Sequence, residues 1–167
     1  MDVARRARAA FDVERVTKRF YDRFKSEHEV FLKFIKGIPD EELQRWYVSA
    51  MLNRLMFIAF IQKKGWLKFN SDTDYLPALW KAYQRDSSSE KNFYNQRLKT
   101  LFFLGLNTPN EVNLIGINRG GFLKDLIGEV PYLNGGLFEE DDDDKNPAVI
   151  VTDECIAAIL NDLFDRL

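Results

Sequence analysis

The stretch from Leu52 to Ile61 constrains the fold more than any other part of the chain, because it is apolar on almost every side of a helix. A helix of this kind is expected to be surrounded by other elements. Asp40 is a favourable N-cap and is followed by two glutamates, whereas two lysines and Gly65 end the pattern. The sequence therefore predicts a central helix over residues 40–65, with the remaining elements packed around it.

Four further segments carry helix signals, and the region between the last two is rich in turn-forming residues. The helical segments run from Asp12 to Lys36, Tyr75 to Tyr83, Ser89 to Leu104 and Thr152 to Phe164. Asn, Gly and Pro cluster over residues 107–136, which leaves room for at most short strands or helical turns. Residues 139–145 read as a solvated acidic loop, and residues 149–151 as a short strand. We therefore predict a mainly α fold, an irregular bundle of about five helices with a loop-rich segment (roughly 105–150) that has room for short strands.

The chain length and its few cysteines and histidines limit the domain count and the kinds of site. The 167 residues suit one domain, which we place at residues 12–167, preceded by a basic N-terminal arm or helix extension at residues 1–11. The single Cys155 excludes an internal disulfide and multi-cysteine zinc sites, and the single His28 excludes sites that need two imidazoles. We expect both residues to be structural.

No apolar run suits a membrane span or a signal peptide, so we predict a cytoplasmic protein.

Charge is distributed unevenly along the chain, with a net +4 over residues 1–36 and a net −8 over residues 139–167. The basic side chains could form a phosphate-binding stripe or an ordinary solvated helix face, and interleaved acidic residues favour the latter. The candidate contacts to the DNA backbone are Arg5, Arg6, Arg8, Arg15, Lys18, Arg19, Lys63 and Lys64.

Motifs for catalysis match only in part. Pro39-Asp40 and Asp143-Asp144-Lys145 resemble the acidic motif of a metal-dependent nuclease, but a helix cap and a solvated acidic run explain them better. Residues 107–110 lack the second proline and the aromatic residue of an adenine methyltransferase loop, and no phosphate-binding loop is present. We therefore assign no catalytic and no metal-binding residue to this chain.

Asn53 and Arg54 form a polar pair inside the apolar helix and must find partners there. One interpretation, which we favour, is a buried hydrogen-bond network that fixes the fold. The other is a contact to an adjoining domain.

Three segments together, Val16–Tyr21, Leu52–Leu67 and Val130–Glu139, resemble the helical connector region of Eco57I-like type II (type IIG) restriction–modification enzymes. In that family the region lies between an endonuclease domain and an adenine-N6 DNA methyltransferase domain. The resemblance covers residues 12–167 and implies a non-catalytic helical spacer, a fragment of a longer enzyme, that positions both domains and contacts the DNA backbone weakly and without sequence preference. It implies no cofactor in this chain, and S-adenosylmethionine and Mg²⁺ in the parent enzyme.

The third of these segments has two interpretations that we weigh equally. Its residues either dock on an adjoining domain or cover this domain's own core; they are Tyr132, Leu133, Asn134, Gly135, Gly136, Leu137 and Phe138. For the whole chain, the alternative function is a free-standing helical interaction module or regulator. The most remote alternative is a metal-dependent nuclease that uses Asp40 and Asp143.

Overall fold

The computed structural model describes residues 3–87, 91–109, 122–133 and 135–164. At residues 3–17, 20, 122, 163 and 164 it describes the backbone only. Its helices are α1 (Val3–Phe34), α2 (Glu41–Lys63), α3 (Tyr75–Arg85), α4 (two successive segments with wide π-type turns, Tyr94–Leu98 and Thr100–Leu106), α5 (Phe122–Ile127), α6 (Asp142–Lys145) and α7 (Asp153–Phe164). Two short strands, β1 (Ile35–Lys36) and β2 (Ile150–Val151), and a 3₁₀ turn (Gly136–Phe138) complete it. The predicted mainly α fold is confirmed.

Both ends of α2 follow the signals in the sequence. The Asp40 side chain accepts a hydrogen bond from the Leu43 N–H at 2.9 Å. At the other end, the Gly65 N–H donates to the Gln62 carbonyl and the Trp66 N–H to the Ile61 carbonyl, at 2.9 and 3.2 Å. Gly65 has a φ of +72°, so this is the left-handed Schellman ending that glycine favours.

One face of α2 packs against the rest of the core and the opposite face does not. Met51, Leu52, Leu55 and Ile58 are fully buried. Along the other side, however, Trp46 is 55% exposed and Phe60 is 53% exposed. The prediction that other elements surround this helix is therefore wrong for that side, within the part of the chain that the structure describes.

Strands β1 and β2 bring the first long helix and the last one together. They pair antiparallel, with Ile35 opposite Val151 and Lys36 opposite Ile150, and α1 packs against α7. The turn after β1 lies so close to the chain before β2 that a Cβ atom on Gly37 would come within 1.8 Å of the Ala148 carbonyl oxygen. The predicted strand at residues 149–151 is confirmed for Ile150 and Val151.

The start of the chain follows one of its two predicted alternatives, and the loop-rich segment contains more helix than the sequence predicted. The backbone of α1 is helical from Val3, so the basic start of the chain extends this helix rather than forming a separate arm. Two short helices, α5 and α6, and the 3₁₀ turn lie in the region predicted to be loop-rich. None of the described helices is long and apolar enough to cross a membrane.

Candidate functional site

A buried ion pair joins the middle of α2 to α6. The Arg54 guanidinium donates from Nη1 to Asp144 Oδ1 and from Nη2 to Asp144 Oδ2, both at 2.9 Å. The two side chains are only 4% and 0% exposed. This parallel two-point geometry is the strongest way in which a carboxylate and a guanidinium pair.

The same guanidinium also binds the backbone that leads into α6. Arg54 Nε donates to the Leu137 carbonyl at 2.8 Å, and Nη2 donates to the Glu139 carbonyl at 3.0 Å. The central carbon of the guanidinium lies 5.0 Å from the centre of the Phe103 ring. Arg54 therefore fixes residues 137–144 against α2 through side-chain and backbone contacts together.

Asp144 receives hydrogen bonds from several directions as well. The Tyr47 hydroxyl donates to the Tyr94 hydroxyl at 3.1 Å, and Tyr94 donates to Asp144 Oδ1 at 3.4 Å. Lys99 Nζ donates to the Asp144 carbonyl at 2.7 Å. Burial raises the pKa of Tyr47 and of Tyr94, so both hydroxyls remain protonated donors at neutral pH. The buried network that we favoured from the sequence is confirmed for Arg54.

The acidic run is not the solvated loop that the sequence predicted. Asp141 caps α6, accepting from the Asp144 N–H at 2.8 Å, while the Asp144 carboxylate accepts from the Asp141 N–H at 3.1 Å. Asp144 turns inward because the guanidinium of Arg54 needs a countercharge in the core. Burial also raises the pKa of Asp141.

A cleft of about 410 Å³ lies over this ion pair, between α2 and the segment that Arg54 holds. Its floor consists of both polar and apolar groups, and acidic side chains line one edge. The lining residues are Trp46, Ser49, Ala50, Asn53 and Arg54 from α2, and Gly136, Leu137, Glu139, Glu140 and Asp141 from the facing segment.

The candidate docking residues divide between the cleft and the core. Asn53, Arg54, Gly136 and Leu137 line the cleft, and Arg54 is the buried member of this group. Phe138 is buried against the rings of Phe57 and Phe102, so it covers this domain's own core. Of the rest, Tyr132 and Gly135 are exposed, Leu133 is half-buried against the core, and Asn134 lies outside the described residues. Each of the two interpretations of this segment therefore suits different residues in it.

The candidate DNA-backbone residues are distributed over two helices. Lys18 and Arg19 are exposed on α1, and Lys63 and Lys64 are exposed around the end of α2. Arg5, Arg6, Arg8 and Arg15 belong to the helical backbone of α1, and their side chains lie outside the described residues.

The residues considered as metal ligands lie apart from one another where the structure can be described. Among the side chains that the structure describes, no three acidic, histidine or cysteine groups come together so that they could hold a metal ion. Asp40 serves as the cap of α2, and Asp143 is half-buried in α6. His28 Nε2 lies 3.1 Å from both the Arg45 carbonyl and Ser49 Oγ, between α1 and α2.

Two buried ionisable side chains lie between α1 and α7. Cys155 is fully buried at the start of α7, as predicted, and burial raises the pKa of its thiol to about 12. Glu27, which the sequence analysis missed, is 4% exposed, and burial together with a hydrogen bond to Asp162 raises its pKa to about 7. Its partner is 135 residues away in the sequence, so no local pattern could have revealed the pair.

The fold and cleft define a helical domain with a buried ion pair at its centre, and comparison with known proteins adds a relationship in sequence. Over 153 residues, 90% of the chain, the sequence is 30% identical to a protein of Methanocaldococcus jannaschii that is named as a candidate type II restriction enzyme and methyltransferase. The chain spans only 12% of that protein's length. No family model and no solved structure matches. The chain is therefore related in sequence to a segment of a restriction–modification protein.

Proposed function

We propose that this chain is the non-catalytic helical spacer of a type II restriction–methyltransferase enzyme, of the Eco57I-like kind, which sets the distance and angle between an endonuclease domain and a DNA methyltransferase domain. The observation that carries this proposal is the match itself. Nine-tenths of the chain aligns with about one-eighth of a protein whose name combines restriction and methylation. A segment of that size is a domain, and catalysis by the parent enzyme then belongs to the remaining length.

The hydrogen bonding at the centre of the domain would suit a spacer. Arg54 connects α2 to α6 and to two carbonyl groups of the intervening segment, and its contact with Phe103 extends this connection to α4. A fully bonded buried network favours one arrangement of the elements over others. Domains attached to such a unit would keep a fixed separation.

The partners and cofactors of such a spacer would be those of the parent enzyme. The adjoining catalytic domains are the protein partners, and those domains would bind S-adenosylmethionine and Mg²⁺. Exposed Lys18, Arg19, Lys63 and Lys64 would contact phosphates of double-stranded DNA, which adds affinity without base recognition.

The test begins with the gene around this coding sequence and continues with the protein that it encodes. We expect an in-frame methyltransferase with a glycine-rich turn and an Asn-Pro-Pro-Tyr-like loop downstream. In that protein, Arg54→Leu should leave adenine methylation close to the wild-type rate but spread DNA cleavage over several neighbouring positions, because the spacer is loosened. Lys124→Met, which removes an exposed ion pair with Glu129, is the matched control and should change neither.

Two results would contradict the spacer assignment. One is a stop codon directly after Leu167 with no methyltransferase gene beside it, which would favour a free-standing interaction module. The other is measurable methyl transfer by the 167-residue chain alone in the presence of S-adenosylmethionine.

A further inference from the structure

An apolar row runs along the outer side of α2. Leu43, Trp46, Ala50, Phe57 and Phe60 are spaced three, four or seven residues apart, so they share one face of the helix, although the ring of Phe57 packs inward against Phe138. Leu43, Trp46 and Phe60 are each more than half exposed. Single exposed apolar side chains are ordinary, but a row of them on one helix face is typical of a protein-binding surface.

The cleft lies beside this row and has a wall held in place before any partner binds. Leu137 is 37% exposed on that wall, and its carbonyl is fixed by Arg54 Nε. At Gly136 an added Cβ would meet no atom within 4 Å, so there is space above the backbone. A preformed wall lowers the ordering cost of binding, because the segment loses little freedom when a partner arrives.

The charge around the cleft determines which kind of partner fits. Glu139 and Glu140 are exposed at its edge beside Asp141, whereas its basic lining residue, Arg54, is neutralised by Asp144 below. Carboxylates repel phosphate groups and attract lysine and arginine. The cleft therefore disfavours DNA and favours a basic protein surface.

We propose that this cleft binds a protein segment that presents a large apolar side chain between lysine or arginine residues. The apolar side chain would lie against Trp46 and Leu137, and the basic ones would pair with Glu139 and Glu140. Assigning this segment to an adjoining catalytic domain rests on the proposed spacer function, whereas the chemistry of the cleft does not.

The test measures binding of defined probes to the isotopically labelled 167-residue chain by NMR, and it requires no enzymatic activity. The probes are two synthetic helical peptides with identical leucines, one flanked by lysines and one by glutamates, and a 20-base-pair DNA duplex. We expect the lysine peptide to shift the Trp46 indole and the Gly136 amide signals, with at least tenfold tighter binding than the glutamate peptide. The duplex should leave both signals unchanged.

Variants separate this cleft from general attraction between opposite charges. Trp46→Ala should weaken binding of the lysine peptide at least tenfold, whereas Trp66→Ala, which removes a tryptophan of similar exposure (57%) outside the cleft lining, should not. Glu139→Lys with Glu140→Lys should reverse the preference between the two peptides. Equal loss with either tryptophan variant, no preference between the peptides, or DNA-induced shifts at Trp46 and Gly136 would each overturn the proposal. These outcomes leave the spacer function standing, since that function is tested by gene context and cleavage positions.

Discussion

Arg54 places a charge in the apolar middle of α2, where it is tolerated because each of its three side-chain nitrogens donates a hydrogen bond. Asp144 accepts from Nη1 and Nη2, while the Leu137 and Glu139 carbonyls accept from Nε and Nη2. Desolvating both ions offsets much of their attraction, so such a pair contributes little compared with a well-packed apolar pair. Its importance lies in what happens when one member is removed.

We expect Arg54→Leu to lower the free energy of unfolding by about 3–5 kcal/mol, because it leaves the buried Asp144 carboxylate without its countercharge and the Leu137 and Glu139 carbonyls without the donors that Arg54 supplies. Asp144→Asn should cost a similar amount. The double variant should cost less than the sum of the two, with a coupling of about 1–3 kcal/mol in a double-mutant cycle. Urea unfolding gives all three values, and additive costs would mean that the two side chains do not act as a pair.

Glu27 presents the opposite case, a buried carboxyl group that is poorly solvated. One of its oxygens, Oε2, has no hydrogen-bond partner among the residues described. Asp162 and Cys155 face it from α7, and Arg23 offsets them in part from α1. The protonated form is therefore favoured in the folded protein, and its pKa rises from 4.5 to about 7.

This shift makes stability fall as pH rises. Between about pH 4.5 and 7 the folded protein retains a proton that the unfolded chain releases, so unfolding becomes easier by about 2–3 kcal/mol across that interval. Glu27→Gln should remove this decline and stabilise the protein at pH 8. Urea unfolding at pH 5 and pH 8 measures the difference, with the exposed Glu29→Gln as control. A decline of equal size in Glu27→Gln would show that another group causes it.

At the scale of elements, close approaches of the backbone determine where the helices and strands can meet. Gly37 combines a φ of +93° with a neighbouring carbonyl oxygen 1.8 Å from the position of a Cβ atom. Gly65 also has a positive φ, but a Cβ there would meet nothing within 4 Å. A side chain at Gly65 would therefore meet backbone strain alone, whereas a side chain at Gly37 would meet both backbone strain and a steric collision.

Gly65→Ala should cost about 1 kcal/mol, because only the left-handed conformation is penalised. Gly37→Ala should cost more, roughly 3 kcal/mol, because the β1–β2 pairing must also move apart. Thermal unfolding of both variants gives the comparison. Equal costs would indicate that the turn at Gly37 yields without disturbing the strands.

The sequence predicted those elements whose signals are local. The cap at Asp40 and the ending at Gly65 depend on residues within one helical turn, and both are confirmed. The start of α3 depends on a distant residue, which no local signal in the sequence could show. The Asp74 side chain does not cap this helix. Instead, the Leu76 N–H donates at 2.8 Å to the side-chain oxygen of Gln62, which lies on α2, 14 residues before Leu76.

The candidate site was predictable only in part, for a related reason. Because Arg54 lies in an apolar helix, the sequence showed that its guanidinium needs a hydrogen-bonding partner. That this partner is Asp144, 90 residues later, follows from packing and not from any spacing in the sequence. The acidic run looked solvated because composition alone cannot show which of four consecutive aspartates turns inward.

At the scale of the whole molecule, the proposed contacts to DNA phosphates involve exposed basic side chains at two places, Lys18 and Arg19 on α1 and Lys63 and Lys64 around the end of α2. If Lys63 and Lys64 bind phosphates, replacing both with alanine should make the plot of log K against log salt shallower by roughly 0.9 for each phosphate that is no longer neutralised. Lys18→Ala with Arg19→Ala should act similarly. Fluorescence anisotropy with a labelled duplex measures the slopes, with exposed Lys81→Ala as control. Slopes equal to that of the control would remove these residues from the DNA-binding surface.

The pairing of Ile35 with Val151 has a consequence for how the protein is made. A ribosome that adds about 5–20 residues per second needs roughly 6–23 seconds to synthesise the residues between these two partners. Throughout that interval the apolar side of α1 lacks α7, and the core cannot close. Any domain translated ahead of this one would have those seconds to reach its native state alone, whereas this domain would complete its own folding only as its last helix leaves the ribosome.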